Sequence, residues 1–168
     1  MRSVLCAALL LSVLRVGHAA ELVEFEAPAF LSGPSVSRSA FGVTYAYTGQ
    51  APHAASELQL TVVAVPAQIE GAPAELPAQC LAAFLEELGT HDTALRIDST
   101  TRQVVTGQFA MLERRWLSRR GALAITGVTA CGMHRGYFVS ANYADDLHGA
   151  VQSFPALRAA LRRLVVRF

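Results

Sequence analysis

The sequence predicts an α+β fold, in which an antiparallel sheet is accompanied by two helices in the order βββ-α-βββ-α. Several short runs alternate apolar and polar residues, which is typical of strands with one buried face. Two segments instead repeat their apolar residues every three to four positions, which indicates amphipathic helices. Because the strand runs are joined by short turns, we expect local antiparallel pairing, with the helices on one side of the sheet.

Three strand runs precede the first helix. The alternation over 22–30 predicts a strand, and the Ser, Gly and Pro residues over 31–35 predict a turn after it. The run 41–49 carries aromatic residues and valine on one face, and the run 57–66 alternates leucine and valine until Pro66. We expect these last two runs to pair as a hairpin.

An amphipathic helix is predicted from Pro77 to Gly89. Proline suits a first helical turn because it has no amide hydrogen to leave unpaired, and glycine often follows a helix end. Cys80 shares the apolar face with leucine and phenylalanine, while Glu86 and Glu87 lie opposite. We therefore expect Cys80 to face the sheet.

The second group of strands follows this helix. Residues 95–97 fit a short strand or the exit of the helix, and residues 103–117 fit a long strand with Gly107 as a bend or bulge. An antiparallel meander is predicted after it, with a turn at 118–121, a strand at 122–131, a turn at 132–136 and a strand at 137–144.

A second helix is predicted after Ser153, whose side chain suits an N-cap position. Its inner stripe consists of Leu157, Leu161, Leu164 and Val165. The arginines that follow Ser153 take the outer side, where those near the helix end complement the negative pole of the helix dipole.

Residues 1–20 have the pattern of a secretory signal peptide, with cleavage after Ala19 or Ala20. Arg2 supplies the positive start, and the apolar run 4–14 is shorter than the roughly 20 residues that cross a bilayer. The sequence therefore predicts a periplasmic or secreted protein, with 21–168 as a single domain and no transmembrane segment in the mature chain.

Charge and cysteine content narrow the function classes. The 14 basic and 13 acidic residues nearly balance, and every cation other than histidine is an arginine, so nothing favours nucleic-acid binding.

With Cys6 in the leader, Cys80 and Cys131 are the cysteines that remain in the predicted mature chain. Two cysteines in an exported protein of this size most often form a disulfide, worth about 4 kcal/mol in the chain-entropy picture. The alternative, a pair that exchanges disulfides, would favour closely spaced cysteines.

The order and spacing of these segments resemble the PsbP-like superfamily. The resemblance rests on the leader, the hairpin FGVTYAYTG to ELQLTVVAVP, the helix around Cys80, the meander ending YFVSANYADD and the closing SFPALRAALRRLV. It is a resemblance of pattern over most of the mature chain, and it transfers no functional residue. It implies an accessory or binding protein that is not an enzyme, with an unknown protein or envelope partner and no cofactor.

The stretch ACGMHRG, residues 130–136, allows a different interpretation. Cys131, Met133 and His134 are soft ligands that would suit copper if the segment turned. The other histidines of the predicted mature chain are single and scattered, at His53, His91 and His148. We therefore favour a hairpin end with Cys131 bonded to Cys80, and we keep a small copper-binding protein as the alternative function.

No catalytic residue is predicted. The chain has no G-x-S-x-G elbow, and its lack of lysine excludes a Ser-x-x-Lys pair. His91-Asp92 and Asp145-Asp146 could serve as acid/base or metal carboxylates, but short acidic side chains also cap turns. An uncharacterised enzyme stays open as a further alternative.

The segment ERRWLSRRG, residues 113–121, is the candidate interface. Arginine and tryptophan are favoured at protein interfaces, and an arginine cluster suits an anionic partner. The candidate residues are Arg114, Arg115, Trp116, Arg119 and Arg120. The ordinary alternative is that Trp116 packs at the end of the sheet while the arginines are solvated.

Overall fold

A computed structural model describes residues 22–65, 74–91 and 94–167. The predicted leader lies outside the described residues. The strands are β1 (Val23–Glu24), β2 (Leu31–Arg38), β3 (Gly42–Gly49), β4 (Glu57–Ala64), β5 (Arg96–Ile97), β6 (Arg102–Val105), β7 (Ala110–Arg120), β8 (Leu123–His134), β9 (Tyr137–Asp146) and β10 (Val165–Val166). The helices are α1 (Leu76–His91) and α2 (Ala150–Leu161).

The main sheet has eight strands, all paired antiparallel, which confirms the predicted α+β class. Its order is β2-β3-β4-β9-β8-β7-β5, and β6 also pairs with β7. The predicted hairpin of β3 and β4 is present, with Tyr45 opposite Leu60. Strands β1 and β10 form a separate two-stranded sheet.

The helices lie on opposite faces of the main sheet, so the expectation that they share one side was wrong. On one face α2 contributes Phe154 and Leu157 to a core with Met111 and Tyr143. On the other face α1 packs through Cys80 and its leucines. The physical reason lies in β8, which buries an unbroken run of residues and therefore presents buried side chains on both faces.

The predicted turn at 31–35 is instead part of strand β2. This strand pairs with β3, with a register shift between Ser32 and Ser35, and most of its residues are exposed. An edge strand tolerates proline and needs little apolar alternation, so its sequence resembles that of a loop. The predicted first strand at 22–30 shortens to β1.

Strand β8 continues through His134, so the turn predicted at 132–136 contains only Arg135 and Gly136. Both turn residues have positive φ, 49° and 82°, as a two-residue hairpin turn of the primed kind requires. Gly132 is a strand residue, and the position requires glycine because a Cβ there would lie 2.6 Å from the carbonyl oxygen of Ala110. In the same way β7 runs to Arg120, beyond the turn predicted to begin at residue 118.

Helix α2 begins at Ala150, so Ser153 lies inside the helix and is not its N-cap. The carboxylate of Asp146 instead accepts hydrogen bonds from the backbone nitrogens of His148 and Gly149, at 2.9 and 2.8 Å. The helix ends at Leu161. Leu164 therefore lies outside the helix, in the segment between α2 and β10, although its side chain is buried. The predicted inner stripe of the helix was therefore too long at its C-terminal end.

Candidate functional site: an arginine-lined groove along the second helix

Two adjoining cavities follow the side of α2 where it packs on the sheet. The first has a volume of about 320 Å³, and Arg102, Glu113, Arg158 and Arg162 are among its lining residues. The second has a volume of about 310 Å³ and is lined by Arg115, Thr126, Leu147, Ala150, Val151, Phe154, Pro155 and Arg158. Because Arg158 lines both cavities, we call the pair the arginine groove.

Strand alternation positions the charged side chains of the sheet. Arg102 on β6 is paired with Glu113 on β7, and Arg115 follows Glu113 by two residues. These three therefore share the face that α2 covers. Arg158 and Arg162 are four residues apart at the C-terminal end of α2, so they lie on the same side of it.

The Glu113 carboxylate is neutralised within the groove. It is 1% exposed and pairs with Arg158, whose Nη2 donates to Oε1 and whose Nε lies 3.4 Å from Oε2. A buried carboxylate needs such a partner, because an unpaired charge in the interior is costly. This ion pair uses the only carboxylate that the two cavities have among their lining residues.

Arg115 carries a buried donor that the groove leaves without a hydrogen-bond partner. Its guanidinium carbon lies 5.3 Å from the centre of the Phe154 ring, and its buried Nε has no hydrogen-bond partner within the described part of the chain. Burial lowers the pKa of Arg115 and the positive charges of Arg158 and Arg102 lower it further, while the carboxylates of Glu113 and Asp98 oppose this shift. The groove therefore has excess positive charge and a buried donor without an acceptor.

A buried polar cluster holds the N-terminal half of α2 beside the groove. Oδ2 of Asp145 accepts from Oγ of Ser153 at 2.7 Å, from the Tyr143 hydroxyl at 3.2 Å and from Nδ1 of His53 at 3.2 Å. Ser56 in turn lies 2.9 Å from the Tyr143 hydroxyl. We call these five residues the Asp145 cluster, and they join the loop before β4, the end of β9 and α2.

The Asp145 cluster differs from a serine hydrolase triad. In a triad the imidazole stands between the serine and the carboxylate, whereas here Ser153 and His53 both bond the carboxylate. Ser153 and Asp145 are also fully buried. Burial raises the pKa of Tyr143 to about 12, so its hydroxyl remains a donor over the ordinary pH range. The arrangement suits structural support of α2.

The candidate interface residues of β7 do not form one surface. Adjacent strand residues point to opposite faces, so Arg114 and Trp116 lie on the α1 side while Arg115 lies on the α2 side. Arg119 is exposed near the hairpin end, and Arg120 is the last residue of the strand. Of the five, Arg115 alone lines the arginine groove.

Trp116 is 7% exposed and packs over Gly127, which it faces across the β7–β8 pair. A Cβ at Gly127 would lie 2.0 Å from Cζ2 of the indole. Nε1 of Trp116 donates to Oγ1 of Thr129 at 3.1 Å, and Nε of Arg114 donates to Oγ1 of Thr101 at 2.9 Å. These contacts match the alternative in which Trp116 packs against the sheet.

The predicted disulfide is present between Cys80 of α1 and Cys131 of β8. The Cys131 sulfur is thus no free thiolate, and the copper alternative lacks its first ligand. Met133 and His134 point to opposite faces of β8, and His134 stacks on Phe109 with 5.1 Å between ring centres. Burial and then the charge of Arg135 lower the pKa of His134. The described residues contain no group of three or more His, Cys, Asp or Glu placed to hold a metal.

The structure describes one of the two candidate pairs, His91-Asp92 and Asp145-Asp146, in full. Asp92 lies outside the described residues. Asp146 caps the turn before α2, as the sequence suggested, whereas Asp145 is the centre of the buried cluster. Sequence reasoning missed the pairing of Asp145 with His53, because 92 residues separate them.

Sequence reasoning also missed the arginine groove, since it placed Arg158 and Arg162 on the outer side of the helix. The alternation of Glu113 and Arg115 along β7 was the available signal, because it puts both charges on the face opposite Trp116.

Among the described residues, neither helix combines the length and the apolar character that crossing a bilayer requires.

Comparison with known proteins supports the fold. No family model and no curated protein matches the chain. The solution structure of cyanobacterial PsbP (CyanoP) from Synechocystis sp. PCC 6803 is similar with a TM-score of 0.56 and 10% identity, over 87% of each chain. The PsbP-like resemblance inferred from the sequence is thereby confirmed at the level of the fold.

Two further solved structures are similar. PA94 from Pseudomonas aeruginosa, a protein of unknown function described as a putative regulator, has a TM-score of 0.53 and 13% identity, over 84% of this chain and 90% of PA94. LpqN of Mycobacterium tuberculosis, described as involved in cell envelope biogenesis, has a TM-score of 0.55 and 11% identity, over 87% of this chain and 83% of LpqN. At these identities the likeness concerns the fold alone.

Proposed function

We propose that this chain, which has a PsbP-like fold, is an exported accessory protein that binds an anionic ligand or partner group in the arginine groove. The observation that carries the proposal is the buried Nε of Arg115, which has no acceptor among the described residues. A buried donor without an acceptor is costly, and an anion in the groove would satisfy it.

The charge balance of the groove supports an anion as the bound group. Arg102, Arg115, Arg158 and Arg162 line the two cavities, and Glu113 already bonds Arg158. Guanidinium groups bind carboxylates and phosphates through paired, charge-assisted hydrogen bonds. An anion entering the groove would meet several guanidinium donors.

Three observations support a location outside the cytoplasm. Residues 1–20 have the pattern of a cleaved leader, and the chain carries a disulfide. LpqN, which has a similar fold, is described as involved in cell envelope biogenesis. We therefore propose a periplasmic or secreted protein whose partner is a protein or a component of the envelope.

Binding can be tested by nuclear magnetic resonance on the Arg115 Nε–Hε group itself. The purified protein is titrated with inorganic phosphate and with acetate at constant ionic strength. We expect a saturable shift of the Arg115 Hε signal. The Arg115→Gln variant should bind at least tenfold more weakly, as judged from shifts of neighbouring backbone amides.

Arg38→Gln is the matched control, since Arg38 is an exposed arginine on edge strand β2. It removes the same charge away from the groove and should leave the affinity unchanged. The proposal fails if neither anion shifts the Arg115 signal, or if Arg38→Gln weakens binding as much as Arg115→Gln does.

A further inference from the structure

The second cavity of the arginine groove combines its cations with an apolar wall. Arg115 and Arg158 line this cavity together with Leu147, Val151 and Phe154. Val151 is 76% exposed and Leu147 is 49% exposed, which is unusual for two large apolar residues beside the same cavity. Neighbouring exposed apolar residues on a protein surface commonly mark a binding site.

The geometry points to a single-chain amphiphile as the ligand, with one anionic headgroup and one apolar chain. This inference rests on the proposed function and specifies its ligand class. The headgroup would bond Arg115 and Arg158, and the chain would lie along α2 against Leu147 and Val151. The buried Arg115 Nε marks where the headgroup would bind, and the exposed Val151 marks where the chain would lie.

The polar lining of the second cavity favours a charged headgroup over a neutral one. The Thr126 hydroxyl donates to the carbonyl oxygen of Trp116 at 3.0 Å, so towards a ligand it offers only acceptor lone pairs. The guanidinium groups of Arg115 and Arg158 therefore supply the side-chain donors of this cavity. Donors that are all cationic select an anion.

The cavity size limits the chain. A volume of about 310 Å³ lies at the lower end of the range of small-molecule pockets, which runs from roughly 300 to 1,000 Å³. One short or medium alkyl chain fits this space, whereas two long acyl chains would exceed it. The first cavity has a smaller apolar lining, since only Val104 and Val105 accompany its polar and charged residues, whereas Leu147, Val151, Phe154 and Pro155 all line the second.

The test is a calorimetric titration of the protein with acetate, butanoate, hexanoate and octanoate. We expect the affinity to rise by about twofold to fourfold per methylene over part of the series, as burial of each methylene predicts. Octanol, which lacks the charge, should bind at least tenfold more weakly than octanoate. A comparison of octanoate with octyl phosphate identifies the preferred headgroup, and tighter binding of either one fits the inference.

Two exposed valines provide matched variants. Val151→Asn removes the most exposed side chain of the apolar wall without disturbing the core and should weaken the chain-length dependence, while acetate binds as before. Val105 lines the first cavity and is 61% exposed, so Val105→Asn should preserve the dependence. Arg115→Gln should weaken every anion in the series.

The outcomes separate the two proposals. If acetate and octanoate bind equally while both shift the Arg115 signal, the amphiphile inference is overturned and the anion site stands. If no anion binds, the proposed function fails with it. If Val151→Asn and Val105→Asn change the chain-length dependence equally, the alkyl chain does not bind in the second cavity and the inference is overturned.

Discussion

His53 and Asp145 are separated by 92 residues in the chain, yet Nδ1 of the histidine lies 3.2 Å from Oδ2 of the aspartate. The same oxygen accepts the Ser153 hydroxyl at 2.7 Å. These two hydrogen bonds join the loop before β4 to the end of β9 and to α2. The side chains of His53, Asp145 and Ser153 are all buried. Because α2 forms one side of the arginine groove, the Asp145 cluster positions the groove without lining it.

Replacing the central carboxylate should destabilise the fold. Asp145→Asn leaves the donors of His53, Tyr143 and Ser153 with a single neutral acceptor oxygen, and we expect the free energy of unfolding to fall by about 2–4 kcal/mol. The neighbouring change Asp146→Asn keeps a capping oxygen for the backbone nitrogen of Gly149, so it should cost less than about 1 kcal/mol. Urea unfolding of both variants measures the difference, and equal losses would contradict a central role for Asp145.

Stability should fall at alkaline pH through Tyr143. The pKa of this hydroxyl rises from 10.0 to about 12 on folding, so between these values the unfolded chain has lost a proton that the folded chain retains. The contribution is complete below pH 10 and is lost as the pH rises towards 12, by about 1–3 kcal/mol. The chain contains no lysine, so no lysine side chain titrates in this range.

The measurement is the free energy of unfolding between pH 9 and pH 12 for the wild type, Tyr143→Phe and the control Tyr137→Phe. Tyr143→Phe should show a shallower decline, because its group no longer titrates. Tyr137→Phe should follow the wild type. An unchanged decline in Tyr143→Phe would show that another group is responsible.

The contact of Trp116 with Gly127 should be intolerant of a side chain. Gly127→Ala would place a Cβ 2.0 Å from the indole ring, so the ring must move, and we expect a loss of about 2–4 kcal/mol. Gly89→Ala in α1 is the control, because within the described part of the chain its Cβ would meet only Cδ2 of Leu95, at 3.9 Å, and alanine favours helix by about 0.5–1 kcal/mol. Thermal unfolding should move in opposite directions for the two variants, and a tolerated Gly127→Ala would contradict this packing.

The Cys80–Cys131 disulfide should stabilise the chain mainly by restricting its unfolded state. The bonded residues are 51 positions apart, which corresponds to about 4 kcal/mol in the chain-entropy description. Reduction should therefore lower the midpoint of urea unfolding. A Cys80→Ala/Cys131→Ala variant should be less stable than the oxidised wild type and should not respond to the reductant. A wild type that is equally stable before and after full reduction would contradict the prediction.

The sequence by itself determined the fold class and much of the strand content. The α+β class, the β3–β4 hairpin, the position of α1 and the pairing of the two cysteines all follow from local periodicity or from cysteine count, which need no knowledge of distant contacts. The boundaries of α2 and of β8 were less accurate. Ser153 and Gly132 were read as a cap and a turn, although one donates to a buried carboxylate and the other allows close packing of a neighbouring strand.

Only the tertiary structure decided which distant side chains meet. The Asp145 cluster joins residues from three separate segments, and the arginine groove joins β6, β7 and α2. The placement of the helices on opposite faces was also a tertiary result, since it depends on β8 lying inside the sheet, between β9 and β7, with both faces to cover. Periodicity reports which side of an element is buried, but it carries no information on what that side is buried against. The unpaired Nε of Arg115 therefore became visible only once α2 was in place beside β7.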